Sequence, residues 1–199
     1  MGRYSYTALV KRIADYCHVR IGHAFRGRVH HEVAGDVRVI QPRDISHNGQ
    51  IAFGEAGPLR LDVPSPRFLQ PNDVLLVNKG RFASAVFDFT DVEQWLAPSS
   101  VLVLTLCDGT VLPHYLACFF NSPAGQKMLR RHGELTTIPY ISASNLGNMK
   151  IPIPSLERQK SLASLSEATA QFVRLSNRKH QLYSAIVGQE FNPEPRKIS

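Results

Sequence analysis

Apolar positions are most regularly spaced near the C-terminal end of the chain. From Ile151 a Pro-interrupted entry, Ile151-Pro152-Ile153-Pro154, leads into a stretch with no Pro or Gly until Gly188. Ser155 is placed to cap a helix, Glu157 sits in its first turn, and Gly188 is placed to end it. Within it Leu165, Ala168, Phe172, Leu175, Leu182 and Ile186 recur at spacings of three and four, a heptad seam interrupted by Lys179. An amphipathic helix lying along its own domain would also carry a stripe. A helix of roughly 33 residues, however, is about 50 Å long at 1.5 Å per residue, wider than a small domain. The pattern therefore predicts an arm that projects and pairs with another helix.

Upstream the periodicity shortens. Tyr4 to Tyr16 mixes apolar and basic residues and fits either a strand pair or a short helix, and the Gly- and Arg-rich run 22–28 reads as a loop. Val37 to Ile40 reads as a strand closed by Pro42, re-entered at Ile45 before an Asn48-Gly49 turn. Leu59 to Val63 alternates like an edge strand ended by Pro64. The clearest hairpin is Val74 to Val77 and Phe82 to Phe87, joined by Asn78-Lys79-Gly80-Arg81. Val101 to Leu106 reads as a buried strand, and Pro113 to Phe120 as a helix. Ser122 with Pro123 opens a further helix that stops at Gly133. A short helix begun by Ser142 or Ser144 fits within 136–149. Strands first and helices later make an α+β domain carrying a helical arm. The expected division is 1–153 for the domain, 154–188 for the spacer helix and 189–199 for a frayed tail.

Charge changes the picture. The 199 residues carry a formal +7, and Arg outnumbers Lys 16 to 7. The guanidinium fork grips phosphate and guanine edges with two bonds, so this balance favours a polyanionic partner. No apolar run approaches a membrane span, and charges interrupt the apolar part of the N-terminus, which makes a poor signal peptide. Cys17, Cys107 and Cys118 show no paired spacing and read as buried thiols of a reducing, cytoplasmic compartment.

Catalytic chemistry finds little purchase. His30-His31-Glu32 looks metal-like, but adjacent imidazoles do not converge on one ion and no further ligands stand at suitable spacing. Cys17 and His18 are neighbours in sequence and do not face each other as a nucleophile pair must. No Gly-rich phosphate loop is present. Basic clusters suited to DNA are easier to find: Arg20, Arg26 and Arg28 around the first loop, Lys79 and Arg81 at the hairpin tip, Arg130 and Arg131 near a helix end. Arg43, Tyr140 and Ser142 complete the candidate DNA-contacting set. Each cluster has a plainer reading as a solvated loop, a basic turn or a complement to a helix C-terminus.

Three blocks together resemble the DNA-specificity subunits of type I restriction-modification systems. They are Phe25 to Arg28 with Asp36 to Ile45 and Gly49 to Ile51; Leu69 to Phe87; and Leu112 to Leu116 with Asn121-Ser122, Gly125-Gln126 and Ile151 to Gln159. The last block is the most specific. Asn72 stands where the family usually has Gly, a change a turn absorbs because Asn tolerates positive φ.

The resemblance implies a target-recognition domain with a twisted, mostly antiparallel sheet and flanking helices, followed by one long coiled-coil-forming helix. The usual subunit has two recognition domains and two helices. This chain looks like a half-subunit that reads one half-site in double-stranded DNA, without catalytic groups or a cofactor of its own. The implied partners are a methyltransferase (modification) subunit that uses S-adenosylmethionine to methylate adenine, a restriction/translocase subunit, and a second copy meeting Leu165, Phe172, Leu175, Leu182 and Ile186. The alternative is an adaptor or regulator in an antiphage system that reuses the fold without a methyltransferase.

Overall fold

The structure, a computed structural model, describes residues 8–25, 37–52, 66–90, 94–134 and 137–191. The expected strand at Leu59 to Val63 lies outside them, as do Arg26, Arg28, His30-His31-Glu32 and the end of the tail. Among the described residues eight strands appear: β1 (Leu9–Arg12), β2 (Cys17–Ile21), β3 (Val37–Val39), β4 (Val74–Val77), β5 (Ser84–Val86), β6 (Gln94–Leu96), β7 (Val101–Leu106) and β8 (Lys150–Ile153). Four α-helices among the same residues follow or separate them: α1 (Pro113–Asn121), α2 (Pro123–His132), α3 (Ala143–Asn148) and α4 (Leu156–Phe191).

The centre is a four-stranded antiparallel sheet in the order β2-β7-β4-β5. β4 and β7 are near-continuous apolar runs because both faces of the sheet are covered. Val74, Leu76, Leu102 and Leu104 point to a core shared with Tyr115, Leu116 and Phe120 of α1. Leu75, Val77, Val101 and Val103 point to the other side, onto Ile40, Ile45 and Trp95. β3 and β6 form a parallel pair there, and β1 pairs antiparallel with β8. The mostly antiparallel α+β domain with a long terminal helix is thus the observed architecture.

Polar side chains fasten the helices to this sheet. Asn121 Oδ1 accepts from Ser84 N–H at 2.9 Å and its Nδ2 donates to Ser84 O at 2.7 Å. Buried Gln126 donates to the carbonyls of Phe82 (2.6 Å) and Phe120 (2.7 Å). At Gly125 a Cβ would collide with the Phe119 carbonyl. Ser122 caps α2 by accepting from Gly125 N–H at 3.1 Å. These motif residues hold the fold together. Gln159 does the same for α4: it is 1% exposed, accepts from Leu112 N–H at 2.8 Å and donates to Thr110 O and Pro154 O, both at 2.9 Å.

Several expectations change. The ambiguous Tyr4 to Tyr16 region, where described, is β1 followed by a single 3₁₀ turn at Ile13–Asp15. Gly188 does not end α4, which runs 36 residues to Phe191; one helical Gly costs only about 1 kcal/mol. Cys17 is buried, and burial pushes its thiol up to about 12, with nearby Cys107 adding to the shift. Cys107 is exposed, because the chain leaves the sheet just after β7, and Cys118 is half-buried on the side of α1 towards α4.

Asn72 adopts φ +73°, and its N–H donates to Phe87 O at 2.8 Å to close the turn before β4. Asn72→Gly should leave the urea midpoint nearly unchanged, whereas Asn72→Val should lose about 1–2 kcal/mol from left-handed strain. Equal midpoints for the two variants would contradict this turn geometry.

Candidate nucleic-acid interface

The β4–β5 turn is bonded to the segment that leads into α3. Gly80, at φ +74°, donates its N–H to Pro139 O at 2.7 Å, and Asn78 O accepts from Ile141 N–H at 2.9 Å. These bonds set Lys79 opposite Tyr140 in an antiparallel bridge. Glu134 bridges Tyr140 from the other side, its N–H donating to Tyr140 O at 2.8 Å. Gly133 ends α2 and permits this approach: a Cβ there would stand 2.7 Å from Tyr140 O. Ser142, two residues on, accepts from Asn145 N–H at 3.1 Å and so caps α3. Two expected site residues from distant parts of the chain, Lys79 and Tyr140, are therefore neighbours.

A second group gathers beside the same turn. Exposed Arg81 donates to Ile45 O at 2.9 Å, reaching the segment that continues through His47. The His47 imidazole is held below its ordinary pKa by burial, and further by the positive charges of Arg81 and Arg130. That shift reports a shared locality, with Arg81 arriving from the hairpin turn and Arg130 from the last turn of α2. Arg43 sits on the 3₁₀ turn Pro42–Asp44 that leads into this segment, its side chain 71% exposed. Arg131, also in the last turn of α2, is exposed.

Arg20 is engaged differently. From β2 its guanidinium donates to Arg67 O (3.3 Å) and Phe68 O (3.1 Å) and pairs with buried Asp73 at 3.6 Å. It ties a connecting segment to the sheet, and few of its donors remain for phosphate. Among the described residues no group of His, Cys, Asp and Glu is arranged to hold a metal ion. No described helix is long and apolar enough to cross a membrane.

α4 has two distinct faces. Gln159, Leu162, Ala163, Ser166 and Ala170 are buried or half-buried at its root, where α4 packs against α1. At 100° per residue the seam lies on roughly the opposite side of the helix. Leu165, Phe172, Leu175, Leu182 and Ile186 are 65, 72, 61, 51 and 58% exposed. From residue 171 onwards every described side chain is exposed.

Comparison with known proteins agrees with this architecture. The family model described as type I restriction modification DNA specificity domain matches residues 9–181. The fold is similar to a chain in a structure concerned with complex assembly and conformational transition of the type I R-M system. That likeness has a TM-score of 0.65 at 15% identity and covers 98% of this chain and 48% of that one. It is also similar to the HsdS subunit from Thermoanaerobacter tengcongensis (TM-score 0.61, 15% identity, 98% and 47% coverage). A third likeness is to the type I restriction-modification S subunit from M. genitalium (TM-score 0.51, 15% identity, 94% and 44% coverage). The chain thus spans just under half the length of these solved chains. No curated protein matches it significantly. With most of its length matched by the family model, and with the fold that goes with it, the chain belongs to the type I restriction-modification DNA specificity domain family.

Proposed function

We propose that this chain is a non-catalytic specificity unit that reads one half-site in double-stranded DNA and directs a type I-like adenine methyltransferase to it. The methyltransferase subunit supplies S-adenosylmethionine chemistry, a restriction/translocase subunit joins the same assembly, and two recognition domains pair through α4. The observation that carries this reading is the gathering of exposed Lys79 and Arg81 on the β4–β5 turn, bridged to Tyr140 and bonded to Ile45, with Arg130 and Arg131 exposed in the last turn of α2. Cations from separate elements gathered on exposed turns suit a phosphate backbone, and a rigid sheet behind them holds their register.

The test is DNA affinity of the assembled complex across a salt series. Lys79→Ala with Arg81→Ala should weaken binding and flatten the salt slope by about 0.9 for each phosphate no longer neutralised. Because Arg81 also braces Ile45, Lys79→Ala alone, which leaves that bond intact, should still weaken binding. Unchanged affinity and slope in folded variants would remove the hairpin turn from the interface.

A further inference from the structure

We infer that Glu134, with Lys79 and Tyr140, reads a single G·C base pair through the major groove; the inference rests on the DNA-reading function proposed above and deepens it. Lys79 and Glu134 are each antiparallel bridge partners of Tyr140. Directly opposed residues in antiparallel pairing project to the same face, so the three side chains stand in one row. They line an open cavity of about 440 Å³ together with Thr137 and Ile138. Lys79 and Glu134 are exposed, and among the described residues no ion pair joins them. Two strand spacings separate them, about 9–10 Å between backbones, with Tyr140 between.

The carboxylate is the informative member. Just before Glu134 the chain carries Arg130, Arg131 and His132, and Lys79 lies across the row, so the surroundings are those of a phosphate-binding surface. A carboxylate is repelled by phosphate, which leaves base edges as its partners on DNA. In the major groove the edge that suits it is the cytosine N4 amino group, a donor. Lys79, a donor only, suits the O6 and N7 acceptors of guanine. One acid and one base flanking an aromatic ring therefore match the two halves of a G·C pair. The cations around His47 remain to hold the backbone on one side.

A pool of duplexes with a randomised segment tests this directly. It would be selected on the full chain in complex with the methyltransferase subunit proposed above, for the parent and for Glu134→Gln. The parent should enrich a motif with an invariant C·G position. Glu134→Gln should lose that preference by tenfold or more and shift it towards adenine, whose N6 and N7 a carboxamide pairs with. Other positions and the salt dependence should stay as they were. A motif enriched equally by both proteins overturns the role of Glu134 and leaves the DNA-reading function intact. A parent complex that enriches no motif overturns that function and this inference with it. Glu134 is exposed and its bond to Tyr140 uses the backbone, so the variant is expected to fold, which circular dichroism checks.

Discussion

Gln159→Leu should lower the stability of the domain by about 4 kcal/mol, although the substitution replaces a polar residue by an apolar one of similar size. Gln159 is almost fully enclosed, and each polar atom of its amide has a backbone partner. Leu would leave the Leu112 N–H and the carbonyls of Thr110 and Pro154 without that partner. An unsatisfied buried group costs about 1–3 kcal/mol, and three of them, partly relieved by water, account for a penalty of that size. The damage falls where α4 leaves the domain, so the arm and the turn before α1 should loosen together. Lys160→Leu, one residue away and exposed, should stay within about 0.5 kcal/mol of the parent. Urea unfolding measures both, and equal midpoints for Gln159→Leu and Lys160→Leu would show that these bonds do not anchor the helix.

The second large effect concerns association. Phe172→Asp with Leu175→Asp should leave the recognition domain folded and abolish pairing through α4. Phe172 and Leu175 are 72% and 61% exposed in the single chain and face away from the docked side of the helix, so folding does not depend on them. In a helix pair they would be buried, where truncating a Leu or Phe costs on the order of 2–5 kcal/mol. A combined penalty of about 4 kcal/mol weakens association by about a thousandfold. Light scattering should then read half the parent mass, with the circular dichroism spectrum unchanged. A parent that is already monomeric at tens of micromolar and free of partners would remove the support for homodimeric pairing.

How much of this could be read in the chain depended on whether a signal was local. α2 was legible because Ser122, Pro123 and Gly133 mark both ends, and the β4–β5 hairpin because its turn chemistry sits between two apolar runs. β2 escaped because Cys17 to Ile21 follows a 3₁₀ turn with no Gly, Pro or Asn to announce it. β6 is three residues long and lacks the Val-Arg-Val alternation that marks the equally short β3. β8 contains Pro152, which reads as a breaker; it survives because the two-stranded β1–β8 pair leaves edge positions where a missing N–H does no harm. The long helix was legible in type and seam, but its anchor was not. Gln159 looks like any solvent-facing glutamine until Thr110 and Leu112, almost fifty residues earlier, are seen to close over it.

The candidate site divides the same way. Basic residues were visible as composition, yet only the fold separates Arg20, turned onto Asp73 and a connecting segment, from Arg81 and Arg130 beside His47. Glu134 gave no sequence signal, since its relation to Lys79 runs through Tyr140, a partner of both. His47 likewise became relevant only through the two arginines around it.

The carboxamide of Asn121 has a bearing on self-association of an unwanted kind. β5 is an outer strand of the central sheet, so its free side offers N–H and C=O groups to any passing strand. Asn121 takes both groups of Ser84, donating and accepting as an adjacent strand would, and Gln126 takes the carbonyl of Phe82. Two side chains thus act as a one-rung false strand over the start of that edge. If copies pair through α4 as proposed, these two side chains keep that helix, rather than the outer strand of the sheet, as the route by which copies meet.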